Sequence, residues 1–279
     1  MSAALPRTRG SRLSMERLLV HLALVLVIAV FGAPFVLIAV TAVAIDPEDI
    51  WPWPGSLTLD HIVELSDRFD IERLIGNGLI VAGGAAVLAT TSGALAGYAL
   101  SRARGRWPSR AALAVLLLQT MPLSATMIPI YDLALRLRLD NTYRGLIVAH
   151  AALSLPFLVW LLKGFFDALP AEIEEAAAVD GASRPRTWRD ILLPLARPGL
   201  AVGAGFAFLT AWAEILIVVI LVTRDDFATI PFAFYYAEGQ EATSVTAAVG
   251  VVYLLPVLIL FLILRRWMVR GLAGAVTGA

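Results

Sequence analysis

Chemistry in this chain would have to come from very few side chains. Cysteine is absent, which removes disulfides, thiolate nucleophiles, zinc ribbons and iron–sulfur centres. The three histidines, His21, His61 and His150, stand far apart and share no metal-ligand spacing with a carboxylate, so they read as structural. A phosphate-cradling P-loop places Lys and then Ser or Thr after a Gly-rich turn. The single lysine, Lys163, follows Leu161 and Leu162 instead, so the chain is not a P-loop ATPase. No stretch follows the glycine fingerprint of dinucleotide binding. Two features remain: a carboxylate-rich segment from Glu172 to Asp180, and Glu214, which stands alone among apolar neighbours.

The elements that hold these residues follow from composition. Of 279 residues, 59% are hydrophobic and 16% charged, against about 25% charged in a soluble domain. Cutting the chain at its charges leaves six long apolar runs: Leu18 to Ile45, Leu74 to Ser101, Ala111 to Tyr131, Gly145 to Leu162, Pro198 to Thr223 around Glu214, and Ala242 to Leu264. A bilayer core of about 30 Å takes roughly 20 helical residues and leaves no water for unpaired backbone groups. The runs do not alternate apolar and polar residues as barrel strands do. The expected fold is therefore an all-α polytopic membrane protein with six transmembrane helices surrounded by lipid. It has a tail at 1–17, a six-span domain at 18–264 containing a loop at 163–197, and a tail at 265–279. The first run is too long for a cleaved signal segment and reads as a retained helix.

The formal net charge of zero gives no hint of a nucleic-acid-binding patch, but it conceals an asymmetry. Sixteen of the 22 basic residues fall in the N-terminal tail, the segments Arg102 to Arg110 and Lys163 to Arg197, and the C-terminal tail. The positive-inside rule puts these, and both termini, in the cytoplasm. Trp51, Trp53, Tyr235 and Tyr236 sit beside span ends as interfacial anchors. Gly83, Gly84, Gly93 and Gly97 suit close helix packing in lipid. Pro34, Pro122, Pro129, Pro156 and Pro256 should bend or interrupt their spans, because each removes a backbone donor. A carboxylate inside a span costs roughly 2.5–3.5 kcal/mol, so Glu214 should face a cavity or a partner.

The loop 163–197 predicts a helix, a turn and a second helix. Pro170 suits a first helical turn, and Glu172, Glu174 and Glu175 favour the positive end of the helix dipole. Gly181 can take the left-handed conformation that ends the helix. Ser183 is placed to cap the next helix, with Pro185 in its first turn, and Trp188, Ile191 and Leu192 then share a face. Ile173, Ala176 and Ala177 share a face of the first helix, where the small alanines would let another surface approach closely.

Glu175-Ala176-Ala177, then three residues to Gly181, nine to Ile191 and one to Leu193-Pro194, resembles the EAA loop of membrane permeases of ATP-binding-cassette importers. Val179-Asp180-Gly181-Ala182-Ser183 is similar to the carbohydrate subfamily, specifically the maltose-type second permease. So are Asn77, Tyr98-Ala99-Leu100-Ser101-Arg102, Pro122 with Ile128-Pro129-Ile130-Tyr131, Leu155-Pro156-Phe157, and the tail Arg270-Gly271-Leu272 with Gly274 and Gly278. The likeness runs from about residue 75 to the C-terminus; earlier residues match only in topology. Ala213 departs from the Asn usual in a Trp-Asn-acidic motif, which bears on substrate contacts, and Thr277 stands where Lys is common.

The resemblance implies a type I importer permease bundle that is itself non-catalytic and binds no cofactor. ATP, with Mg, would be bound and hydrolysed by two separate ATPase subunits. The other implied partners are a second homologous permease, an extracytoplasmic solute-binding protein and a sugar. Glu172, Glu175, Ala176, Ala177, Asp180, Gly181, Ile191, Leu193 and Pro194 would form the coupling surface, with Glu175 meeting an ATPase arginine. Glu214 would either contribute to the sugar path, with Trp212 stacking on a pyranose face, or pair with the partner permease or a backbone group. An importer of the same architecture for polyamines or phosphate, and a secondary transporter or membrane scaffold, are the competing readings; inverted repeats and several buried charges, expected of a secondary transporter, are not evident.

Overall fold

A computed structural model of the chain describes residues 9–44, 57–237 and 243–277. Helix α1 (Arg9–Thr41) is followed by a short α2 (Asp60–Arg68), α3 (Ile71–Arg102), α4 (Trp107–Leu117), α5 (Leu123–Leu137) and α6 (Tyr143–Asp167). Then come α7 (Glu172–Val179), α8 (Arg184–Thr187), α9 (Leu193–Ala213), α10 (Leu216–Leu221), α11 (Ile230–Ala237) and α12 (Thr243–Thr277). Among the described residues the only β pairing is an isolated bridge between Ala44 and Leu57. Trp51 and Trp53, expected as interfacial anchors, lie outside the described residues.

Among the described residues five helices are long and apolar enough to cross a membrane, and a bent pair makes a sixth when taken as one span. That pair is the run expected at 111–131, interrupted at Pro122 as its missing donor predicts. Trp107–Thr120 and Leu123–Leu137 meet at 95°, because Met121 and Pro122 are both extended (ψ 127° and 128°) and Pro122 begins α5 without a donor. The expected run at 198–223 also breaks, at Glu214, where no proline stands. Conversely α1, α5, α6 and α12 run unbroken through Pro34, Pro129, Pro156 and Pro256.

The core forms where small residues let backbones meet. On α3, Ala82, Ala85, Ala89 and Ala94 are buried against Ala151, Leu158, Leu162 and Phe166 of α6 and Ala207, Ala211 and Trp212 of α9. A Cβ at Gly97 would lie 2.7 Å from the backbone nitrogen of Lys163, and one at Gly93 2.8 Å from Leu158 Cβ. Gly84 faces the Ile147 side chain, whereas Gly83 faces open space, so the four glycines expected to pack together divide. A second cluster joins α2, α11 and α12 through Leu65, Ile230, Ala233, Val245 and Val249.

Asn77, buried at the start of α3, ties distant segments. Its amide donates to the carbonyls of Asp226 (2.8 Å) and Ala228 (2.7 Å), and its Oδ1 accepts from the Tyr143 hydroxyl (2.7 Å). All of its bonds go to groups that lipid would leave unpaired. By contrast, α1 from Leu18 to Phe31 is exposed on every side, and near its C-terminal end Gly250 of α12 approaches Ile38.

Candidate functional site

The expected helix–turn–helix is present. Three glutamates occupy the first turn of α7, where the dipole favours them. At its end the Gly181 amide bonds to Ala178 (3.1 Å) and the Ala182 amide to Ala177 (2.9 Å). With Gly181 at φ +79°, this is a Schellman C-cap. Ser183 occupies the expected capping position, but its hydroxyl makes no cap bond; its carbonyl receives the Thr187 amide instead. Pro185 stands in the first turn of α8, and the chain passes through a π-turn at Trp188–Leu192 into α9. The turn ends just before Pro194, whose missing N–H already interrupts the ladder.

The faces of α7 differ in exposure. Glu172, Glu175, Ala176, Ala178, Asp180 and Gly181 are exposed, and Val179 is 87% exposed. Ala177 is buried and Ile173 half-buried, so Ala176 leaves the face it was expected to share with them. Of the second helix, Leu192 is buried, and Ile191, Leu193 and Pro194 are half-buried as they enter the bundle.

Sequence reasoning treated Glu174 only as a dipole partner, and Tyr98 and Arg102 as part of a family likeness and, for Arg102, a topology charge, without pairing them with Glu174. The structure brings them together. Arg102 Nε donates to Glu174 Oε1 at 2.5 Å, and the Tyr98 hydroxyl donates to Glu174 Oε2 at 2.6 Å. The remaining Arg102 nitrogens donate to the carbonyls of Phe166 (3.0 Å) and Leu169 (3.3 Å). A recess of about 770 Å³ beside this cluster is lined by Tyr98, Arg102, Glu174, Glu175, Arg184 and Trp188.

The second site is the break in the fifth span. Glu214 is extended (ψ 126°), and its two carboxylate oxygens accept the amides of Leu216 (2.7 Å) and Ile217 (2.8 Å). The residue that interrupts the helix thus satisfies the first donors of the next one. Beyond α10, Asn141 closes the other end: its Oδ1 accepts from the backbone amides of Thr223 and Arg224, and its backbone N–H donates to the Leu221 carbonyl. His150, buried on α6, places Nε2 3.4 Å from Glu214 Oε2. Its Nδ1 lies 2.8 Å from the Leu146 carbonyl, which can only accept, so Nδ1 carries a proton. No spacing rule could have paired residues on separate helices.

A cavity of about 720 Å³ between the two broken spans is lined by Gln119, Thr126, Pro156, Thr210 and Glu214 among leucines. Trp212 does not face it. Its ring is 2% exposed, lies parallel to Phe208 and crowds Gly78, and its Nε1 donates to the Tyr253 carbonyl. No ring face is free for a pyranose in this conformation, so the expected stacking partner is a core residue here, and Glu214 alone of the two reaches the cavity.

Residues 89–274 match the family described as the binding-protein-dependent transport system inner membrane component. The chain is 34% identical over 228 residues to the maltodextrin transport system permease protein of Bacillus subtilis, covering 80% of this chain and 82% of that protein. It is 32% identical over 236 residues to the trehalose transport system permease protein of Mycobacterium tuberculosis, covering 81% and 84%. Among solved structures, a chain of a bacterial ABC transporter that imports the acidic polysaccharide alginate superposes with a TM-score of 0.72 at 18% identity, covering 95% of this chain and all of that one.

Proposed function

The chain belongs to the family of binding-protein-dependent transport system inner membrane components, and from that premise we propose that it is a non-catalytic permease subunit of an importer for a sugar or oligosaccharide. It pairs with a second homologous permease, two ATPase subunits that bind ATP and Mg, and an extracytoplasmic binding protein that delivers the solute. The observation that carries this reading is the exposed face of α7. The coupling anchors Glu175 and Gly181 stand outward on a rigidly capped helix beside Val179, free to meet another subunit. Relatives named for maltodextrin and trehalose support the solute class. The mainly apolar cavity at the helix breaks, with Gln119, Thr126, Thr210 and Glu214 as its polar groups, supports a path there, since irregular backbone at membrane depth is tolerated where it lines one. Both termini lie on the cytoplasmic side in this reading, as the basic residues imply. ATP-driven closure of the ATPases displaces α7 and rocks the bundle between inward-facing and outward-facing states.

The test is reconstitution of the complete transporter in proteoliposomes with its binding protein and a panel of mono- and oligosaccharides, polyamines and phosphate. ATP-dependent uptake confined to sugars is expected. Uptake confined to polyamines or phosphate would overturn the assignment of solute while keeping the architecture, and ATP-independent uptake would overturn both.

Glu214 is assigned to the path because it faces the cavity. Glu214→Gln keeps one acceptor for the α10 amides, with an expected stability loss of about 1 kcal/mol, and should raise the KM for sugar uptake. Lowered assembly with an unmoved KM would confine Glu214 to the helix break.

A further inference from the structure

Neighbouring glutamates on a helix are turned about 100° apart, and α7 uses that difference. Glu175 is exposed, whereas the Glu174 side chain is 23% exposed and directed at the ends of two spans. Arg102 is the last residue of α3, and the two carbonyls it holds, of Phe166 and Leu169, belong to the C-terminal end of α6 and the turn after it. The Phe166 carbonyl is one of the last four of α6, which lack a donor four residues on within the helix, and it also accepts the Leu169 amide at 3.2 Å. One guanidinium therefore bonds to three elements: it stands on α3, closes the end of α6 and grips α7. Its planar fork suits this, while a lysine would offer a single point of charge. Tyr98, one turn earlier on α3, takes the second carboxylate oxygen and packs edge-on against Phe166 at 5.5 Å and Trp188 at 6.5 Å. Above this junction α3 and α6 are already locked by the backbone approaches at Gly93 and Gly97.

We propose that the Arg102–Glu174 ion pair, braced by Tyr98, is the strut through which α7 moves the bundle, so that α3, α6 and α7 travel as one body. Arg102 and Glu174 are then positioning residues for transport, distinct from the outward Glu175. The inference rests on the reading of the chain as an importer permease. Without the strut, α7 keeps its chain connection to α6 through Ala168–Ala171 and the apolar packing of Ile173 and Ala177, and displacement of α7 would be absorbed at that short segment.

Two measurements test it. In the complete reconstituted transporter, Arg102→Gln and Glu174→Gln should each lower solute uptake per ATP hydrolysed by about tenfold, the scale of a lost charge-assisted bond. The double variant should fall no further than either single one, because both remove the same link. Arg102→Lys should recover part of the loss. Unchanged uptake per ATP in both single variants, or losses that multiply in the double, would overturn the proposal. Independently of the solute, the absence of cysteine allows spin labels at cysteines replacing the exposed Leu95 on α3 and Val179 on α7. Their separation should stay constant between nucleotide-free and ATP-bound complexes and change between those states in Arg102→Gln. A separation that already changes in the otherwise wild-type chain would refute the strut, whichever solute is transported.

Discussion

Gly181→Leu and Glu175→Lys are each expected to reduce binding-protein-stimulated ATP hydrolysis and solute uptake at least about tenfold while leaving membrane insertion intact. Their physical routes differ. At Gly181 the backbone sits at φ +79° and a Cβ would touch nothing within 4 Å, so the penalty is conformational only. A left-handed L-residue costs about 1–2 kcal/mol, and the chain escapes that strain by unwinding the cap bonds from Gly181 and Ala182 to Ala178 and Ala177. The end of α7 then loses its direction into α8. The bundle, which contributes no atom within 4 Å of a new Cβ at that turn, should be unaffected. Glu175→Lys leaves the helix intact, because the residue is exposed, and reverses the charge offered to a cationic partner. A favourable contact becomes repulsive, and each 1.4 kcal/mol or so of lost docking energy is about tenfold. Stimulated ATPase activity and uptake, normalised to transporter amount, read both effects. Normal uptake in both variants at normal expression would sink the assignment of this face to coupling.

Gly97→Ala, and more strongly Gly97→Leu, should sharply lower the yield and melting temperature of the folded protein. A Cβ at Gly97 meets the Lys163 nitrogen at 2.7 Å, the Leu162 carbonyl carbon at 3.1 Å and the Val159 oxygen at 3.2 Å. These are backbone atoms, which cannot rotate away, so α3 and α6 must separate along the most extensive helix contact among the described residues. Forcing methylene-sized groups into a packed core costs about 1–3 kcal/mol, and separation here also loosens the Arg102 contacts one turn further on. Gly83→Ala is the matched control. It faces open space on the same helix and should be neutral or slightly stabilising, since Gly in a helix interior costs about 0.5–1 kcal/mol relative to Ala. Thermal unfolding in detergent separates the cases. Equal melting temperatures for Gly83→Ala and Gly97→Ala would show that the α3–α6 approach is not limiting.

The two glycines mark where sequence reading stops. Both stand in the same apolar run at helical spacing, and only the neighbouring helix distinguishes a backbone contact from empty space. Glu174 and Glu175 pose the same problem. Their relative angle follows from helix geometry, but which one turns inward depends on how α7 docks against Arg102, 72 residues earlier. Trp212, expected to stack on a sugar, is consumed by Phe208, Gly78 and the Tyr253 carbonyl. His150, read as isolated, lies against Glu214 across a helix interface.

What could be read along the chain was what one stretch of chain settles within itself. The number of spans follows from transfer of continuous apolar runs into lipid, a sum over neighbours that needs no partner. The cap at Gly181 is equally local, because its hydrogen bonds reach back only to Ala177 and Ala178. The break at Pro122 was legible in its missing donor, as the unbroken helices at the other four prolines were not, and the break in the fifth span lay beyond that reading. Hydropathy is indifferent to whether a run is straight, and the extended turn at Glu214 persists because its carboxylate satisfies the freed amides while Asn141, on another segment, closes the far end of α10. Pairings of this kind are decided by which helices lie side by side. In a membrane, where an unpaired polar group is strongly disfavoured, they fix the Arg102–Glu174 pair, the cavity and the orientation of α7.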